Sequence, residues 1–176
     1  MKKSYSHLYY GDGKGKTSIL NGSAIRALGA GKKIKYYRFL KNVVSSEDNI
    51  FDQLGIEFIK IYQSGNKFIW EMNENERRRF KQEMRDGFSK LYEDLTNSDY
   101  DLILADELLD CIVNKQITET ELLKLLKDKK DNIEFLVSGH QVDPVIINAF
   151  DLVSYVKKEK HYFDTHKQFA RKGIEL

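Results

Sequence analysis

Most of what this chain reveals lies in eight residues near its start, Gly11-Asp12-Gly13-Lys14-Gly15-Lys16-Thr17-Ser18. They follow an apolar run (8–10) and precede a segment with a helical pattern (18–28). A strand, a glycine-rich turn, Gly-Lys-Thr and a helix are the parts of a phosphate-binding loop, whose glycines let backbone N–H groups surround an anion. In such a loop we expect Lys16 to reach the terminal phosphate and the Thr17 hydroxyl to ligate Mg²⁺. The sequence therefore predicts binding of a nucleoside triphosphate.

The spacing of this loop departs from the general pattern G-x-x-x-x-G-K-[ST]. The first glycine of that pattern would fall on Tyr10, and Gly11 comes one place late. A glycine-rich turn that binds nothing is the alternative. Three glycines, two lysines and a threonine in this order favour the phosphate-binding interpretation.

Length and composition limit the possible classes of protein. A chain of 176 residues suits a single domain, 1–176, with a substantial core. The net charge of +2, carried by scattered side chains, predicts no bulk attraction to nucleic acid or to an anionic membrane. The single cysteine, Cys111, excludes an internal disulfide and fits a reducing compartment. The chain has no apolar run that could cross a membrane and no signal-peptide pattern at its start, so we expect a cytoplasmic protein.

Strand and helix patterns alternate along the chain. Predicted strands cover 5–10, 34–40, 56–62, 102–105, 133–138 and 152–156, and predicted helices cover 18–28, 74–95, 118–127 and 144–150. Thr118 and Glu121 form a capping-box pattern at the start of one helix, and segments 41–49, 63–73 and 157–176 lack a regular pattern. This order predicts an α/β fold of the P-loop NTPase-like (RecA-like) kind, a three-layer sandwich with a mostly parallel sheet of about six strands.

A second element of a nucleotide site follows the predicted strand at 102–105. The apolar run ends in two carboxylates, Asp106 and Glu107, as a Walker B element does. Carboxylate oxygens suit Mg²⁺, and a neighbouring parallel strand would deliver them to the phosphate loop. Acidic residues that stabilise a helix start are the alternative. The phosphate loop upstream favours the metal role.

Several short segments match, in the same order along the chain, the sequence motifs of one known protein family. They are the loop 11–18 with its late first glycine, Ala24-Ile25-Arg26-Ala27-Leu28-Gly29, Arg38-Phe39-Leu40-Lys41, Gly55-Ile56-Glu57-Phe58, Phe68-Ile69-Trp70-Glu71, Asp106-Glu107-Leu108, and the tail segments 160–164 and 170–175. Together they resemble the phosphate-loop corrinoid adenosyltransferases of the ATP:cob(I)alamin type. The chain departs from the family pattern at positions expected to bind phosphate: His140 replaces an arginine, and Asp12 replaces an asparagine.

The resemblance implies transfer of the 5′-deoxyadenosyl group of ATP to the cobalt of a reduced corrinoid, cob(I)alamin or cob(I)yrinic acid a,c-diamide, with release of triphosphate. ATP and the corrinoid are substrates, and Mg²⁺ is the implied cofactor. The implied partners are a second copy of the chain in a homodimer and a flavodoxin-like or other reductase, with no nucleic acid and no membrane. Cobalt is the nucleophile, so no general base is required of the protein.

The site residues expected on these grounds form overlapping sets. The ATP-binding set is Gly11, Asp12, Gly13, Lys14, Gly15, Lys16, Thr17, Ser18, Arg26 and His140; the metal set is Thr17, Glu107 and Asp106; the corrinoid set is Phe68 and Trp70; and the catalytic set is Lys16 and Glu107. Burial of both aromatic rings as a lid on the core is the alternative for the corrinoid set. A small-molecule or nucleotide kinase and a non-catalytic nucleotide switch are the alternative functions.

Overall fold

The computed structural model describes residues 4–175, which contain one six-stranded sheet. The strands are β1 (Ser6–Tyr10), β2 (Ile34–Arg38), β3 (Glu57–Lys60), β4 (Leu102–Asp106), β5 (Glu134–Gly139) and β6 (Leu152–Tyr155). Their order in the sheet is β3-β2-β4-β5-β1-β6, and every neighbouring pair is parallel. All carboxyl ends of the strands therefore meet at one edge, where ligands bind in open α/β sheets.

Helices cover both faces of this sheet. They are α1 (Lys16–Gly29), α2 (Asp48–Leu54), α3 (Glu74–Asn97), α4 (Leu108–Val113), α5 (Glu119–Asp128), α6 (Pro144–Ile147) and α7 (Tyr162–His166), with a 3₁₀ turn at Ile69–Glu71. Side chains alternate between the faces of a strand. Tyr36 accordingly packs in one buried cluster with Leu20 of α1 and Phe51 of α2, whereas Tyr37 packs in another with Phe80 of α3. The predicted three-layer α/β fold is confirmed.

Capping patterns and apolar periodicity in the sequence predicted the long helices accurately. Asn73 and Glu76 form a capping box at the start of α3, and Thr118 and Glu121 form the predicted one before α5. The predicted apolar face of α3 is buried: Phe80, Met84, Phe88, Leu91 and Leu95. In the described part of the chain, no helix is both long and apolar enough to cross a bilayer.

The predictions were less accurate for the end of β2 and for the short helices. β2 ends at Arg38, two residues before the predicted end, because Leu40 turns the backbone into the left-handed region (φ 33°). Helices α2, α4 and α7 were not predicted, since α2 and α4 are short and α7 spans only five residues of a polar tail. The single-domain expectation for 1–176 stays a prediction.

Candidate active site

The phosphate loop joins β1 to α1 at the carboxyl edge of the sheet. Gly15 takes a positive φ of 110° directly before the first helical residue, Lys16. The Lys16 ammonium donates to the carbonyl oxygens of Gly11 (2.6 Å) and Gly13 (2.9 Å), which holds the loop closed around its own side chain. Burial lowers the pKa of Lys16, and nearby Lys41 acts in the same direction, whereas Asp110 opposes the shift.

Gly11 and Gly13 must be glycine because the segment that follows β6 lies directly against them. A Cβ on Gly11 would clash with the carbonyl oxygen of Val156, and Gly11 also has a positive φ of 123°. A Cβ on Gly13 would lie 2.7 Å from the same oxygen. The Gly13 N–H already donates to it at 2.8 Å. The segment after β6 therefore packs directly on the loop, and only glycine leaves room for it.

The remaining loop residues differ in orientation. A carboxylate oxygen of Asp12 accepts the backbone N–H of Lys158 (3.3 Å), so this acid caps an amide of the segment after β6. Lys14 and Ser18 are exposed. An ATP-binding role for Asp12, Lys14 and Ser18 remains a prediction.

Asp106 is the carboxylate that meets the phosphate loop. The Thr17 hydroxyl lies 3.1 and 3.2 Å from its two carboxylate oxygens, and the Ser138 hydroxyl donates to it at 2.6 Å. Asp106 is fully buried at the end of β4. Three adjacent elements, β4, β5 and the start of α1, thus bring oxygen donors to one point.

A buried arginine that the sequence analysis did not select lies beside this carboxylate. Arg38 is 1 % exposed, and its Nε lies 3.7 Å from Asp106 without a hydrogen bond. Its other nitrogens bind Glu47 (3.0 Å) and Asp48 (2.6 Å). Arg38 and Asp106 end two neighbouring parallel strands and are register partners, a relationship that only the order of strands in the sheet reveals.

Glu107 lies next in the chain but has different partners. Its backbone is left-handed (φ 61°), its N–H donates to the Ser138 hydroxyl, and its carboxylate pairs with Lys41 at 2.6 Å. Burial raises the pKa of Glu107, and Lys41 acts against that shift. The described contacts therefore join Asp106, not Glu107, to Thr17. The predicted metal and catalytic roles of Glu107 stay predictions.

Arg26 and His140, which stands where the family pattern has an arginine, lie in different parts of the structure. His140 follows β5, and its carbonyl accepts the Gly11 N–H, so this residue adjoins the loop. The His140 ring contacts the Asp110 carboxylate at 3.1 Å. Arg26 instead lies ten residues after Lys16 on α1, about 15 Å along a helix axis. It lines a cavity with Tyr9 and Glu134, and its phosphate role stays a prediction.

The predicted corrinoid residues form an exposed aromatic pair. The rings of Phe68 and Trp70 stack with centroids 4.6 Å apart and planes 4° from parallel. The two residues are 59 % and 75 % exposed. Ile69, which lies between them in the chain, packs against the core instead, and Met72 is buried in it. The alternative that both rings are buried as a lid is therefore wrong.

Comparison with known proteins identifies the family to which these features belong. The family model described as "ATP:corrinoid adenosyltransferase BtuR/CobO/CobP" matches residues 2–176. The chain belongs to this family. The corrinoid adenosyltransferase of Escherichia coli (strain K12) is 28 % identical over 169 residues, covering 96 % of this chain and 83 % of the relative. That of Pseudomonas aeruginosa is 27 % identical, covering 96 % and 82 %.

Solved structures support the fold. The flagellar accessory protein FlaH from Methanocaldococcus jannaschii is 12 % identical with a TM-score of 0.57, covering 88 % of this chain and 72 % of that one. EssC (ATPases 2 and 3) from Geobacillus thermodenitrificans is 14 % identical with a TM-score of 0.50, covering 98 % and 36 %. These likenesses show a P-loop NTPase fold. Family membership adds the class of enzyme, a transferase for which ATP and a corrinoid are the substrates.

The donors around Thr17 fit the Mg²⁺ ion that the family implies. The Thr17 hydroxyl and the Asp106 carboxylate are hard oxygen donors, and no group of three or more histidine, cysteine or acidic side chains occurs within 4–175 that could hold a metal alone. Mg²⁺ usually takes one or two protein ligands and completes its shell with phosphate and water oxygens. The residues present therefore suit a metal that arrives with ATP.

Proposed function

We propose that the enzyme transfers the 5′-deoxyadenosyl group of ATP to the cobalt of a reduced corrinoid, cob(I)alamin or cob(I)yrinic acid a,c-diamide, and releases triphosphate. The cobalt(I) electron pair forms the new bond to C5′. The C5′–O bond breaks, and its electron pair leaves with the triphosphate, so the cobalt is formally oxidised to cobalt(III). The single observation that carries the proposal is the contact of Thr17 with Asp106 beside a closed phosphate loop.

The protein's task in this reaction is to hold the leaving group and neutralise its charge. The N-terminus of α1 would face the triphosphate, and Lys16 would exchange its carbonyl partners for phosphate oxygens. Bound Mg²⁺ would be held by Thr17 and Asp106, with Glu107 beside them, and would neutralise charge on the triphosphate. Such preorganised charge stabilisation is commonly the largest contribution to catalysis.

The exposed Phe68–Trp70 stack supports a corrinoid site. Two large stacked rings that face solvent on a short turn offer an apolar surface. Pressed against the lower face of the corrin, they would displace a lower axial ligand that feeds electron density to cobalt. Cobalt(II) would then be easier to reduce, so the same surface would serve reduction and transfer.

The homodimer, the flavodoxin-like or other reductase and the cytoplasmic location remain part of the proposal. Exposed apolar residues on the edge strand β6, Leu152, Val153 and Tyr155, offer a surface that a second copy could cover. The electron that converts cobalt(II) to cobalt(I) would come from that reductase.

Product analysis tests the proposal against its rivals. ATP and Mg²⁺ are incubated with the enzyme, with and without chemically reduced cob(I)alamin. We expect triphosphate and adenosylcobalamin in equal amounts, and neither without the corrinoid. ADP as the main product would support a phosphotransferase, and absence of any product would support a nucleotide switch. Replacing cob(I)alamin by reduced cob(I)yrinic acid a,c-diamide then compares the two corrinoids directly.

A further inference from the structure

An ion pair between the segments that follow β2 and β4 has no role in the mechanism above. The Lys41 ammonium lies 2.6 Å from a carboxylate oxygen of Glu107. The Glu107 side chain is 11 % exposed and that of Lys41 is 48 % exposed. A nearly buried carboxylate is thus paired with a lysine whose side chain is still half exposed to solvent.

The backbone on both sides of the Lys41–Glu107 pair adopts an unfavourable conformation. Leu40 and Glu107 both have a positive φ, 33° and 61°, which side-chain-bearing residues rarely adopt. They follow β2 and β4, neighbouring strands that the Phe39 N–H joins to the Asp106 carbonyl at 3.0 Å. Strained residues of this kind persist where surrounding structure imposes them, and they cluster at functional sites.

The pair lies beside the phosphate loop, because Asp106, the residue before Glu107, accepts the Thr17 hydroxyl. Asp110 lies close to the loop as well, since it contacts the His140 ring and the His140 carbonyl accepts the Gly11 N–H. Burial and the charge of Lys41 lower the pKa of Lys16, whereas Asp110, Glu107 and Asp106 act against this shift. These carboxylates would repel the polyphosphate of ATP. A lysine that moves from carboxylate to phosphate changes this balance by adding a free positive charge, and its long flexible stem and three donors suit such a move.

We propose that Lys41 is a second polyphosphate-binding ammonium of this enzyme, held by Glu107 until the nucleotide displaces it. The inference rests on the proposed function, since triphosphate is the leaving group whose charge Lys41 would stabilise. Glu107 is then a counterion in the free enzyme and becomes available to the metal once Lys41 has moved. No covalent step is involved.

Binding of inorganic triphosphate, measured by calorimetry in the presence of EDTA, tests the proposal without metal or corrinoid. Lys41→Met should weaken binding roughly 10- to 100-fold, as loss of one charge-assisted hydrogen bond does. Lys41→Arg should restore part of it. Glu107→Gln should tighten binding, because it frees Lys41 and removes a repulsive charge. The matched control is Lys124→Met, which breaks a surface ion pair with Asp128 on α5 and should bind as the parent does.

The outcomes separate this inference from the proposed function. Unchanged binding in Lys41→Met, at the melting temperature of the parent, would overturn the inference even if adenosyl transfer is observed. Weaker binding in both Lys41→Met and Glu107→Gln would also overturn it, because the pair would then be structural. Weaker binding in Lys41→Met, tighter binding in Glu107→Gln and no adenosylcobalamin would support the inference and reject the proposed function.

Discussion

Thr17 and Asp106 are 89 residues apart in the chain, yet the Thr17 hydroxyl donates to the Asp106 carboxylate at 3.1 Å. The contact joins the first turn of α1 to the end of β4. It selects one of two adjacent carboxylates as the partner of the phosphate loop, since Glu107 turns toward Lys41. The relative importance of the two acids can therefore be tested directly.

Asp106→Asn should raise the Mg²⁺ concentration needed for half-maximal activity more than Glu107→Gln does. The substitution keeps the size of the side chain but removes the charge that faces Thr17 and Ser138. It should also lower the free energy of unfolding by about 1–3 kcal/mol, since one of the two buried acceptor oxygens becomes a donating NH₂ group. Mg²⁺ titration of the initial rate and urea unfolding provide the measurements. A larger Mg²⁺ effect in Glu107→Gln would return the main metal role to Glu107.

Lys16→Ala should weaken ATP binding by about 1.5–3 kcal/mol, the usual range for a charged hydrogen bond. The lysine also closes the loop through Gly11 and Gly13, so part of the loss should come from loop disorder. Calorimetry of Mg·ATP binding measures the effect. Lys14→Ala is the comparison variant, and because Lys14 is exposed we expect a smaller loss. Equal, negligible losses in both variants would contradict the phosphate-loop assignment.

Gly13→Ala should abolish ATP binding and destabilise the fold, because the added Cβ would lie 2.7 Å from the Val156 carbonyl oxygen. The matched control is Gly22→Ala, in the middle of α1, where an added Cβ meets no atom within 4 Å. Alanine is the better helix former there by about 0.8–1 kcal/mol, so the control should be more stable. Thermal unfolding with and without ATP distinguishes the two. A Gly13→Ala protein that binds ATP normally would show that the segment after β6 can move away.

Trp70→Ala and Phe68→Ala should reduce turnover from cob(II)alamin with a mild reductant more than turnover from pre-reduced cob(I)alamin. A ring buried against the corrin contributes about 1.5–3 kcal/mol, so the first activity should fall roughly tenfold or more. ATP affinity and the melting temperature should hardly change, because both rings are exposed in the free enzyme. Equal losses in the two assays would argue against a role in reduction.

Cys111 should resist thiol reagents in the folded protein. Its side chain is fully buried, and burial raises the pKa of the thiol well above its usual value, so little thiolate exists at neutral pH. Reaction with a coloured disulfide reagent should proceed only as fast as the protein unfolds, and rapidly in denaturant. Fast labelling of the native protein would contradict the burial of this residue.

Several features followed from the sequence because they depend on neighbours in the chain. The phosphate loop and the capping box at Thr118 rest on local backbone rules, and both lie where predicted. The alternation of strand and helix patterns fixed the α/β class, since parallel strands need helical connections. Gly11 lies one position later than in the general phosphate-loop pattern, and this spacing matched the family's own motif.

Other features were decided only by the tertiary structure. Asp106 and Glu107 are adjacent in the chain, yet Asp106 contacts Thr17, whereas Glu107, with its left-handed backbone, pairs with Lys41. Phe68 and Trp70 face solvent, whereas Ile69 and Met72 of the same segment pack in the core. The pairing of Lys41 with Glu107 needed β2 beside β4, and this strand order is not written in any local segment. Contacts between distant parts of the chain depend on which surfaces pack together, and that is settled by burial over the whole domain.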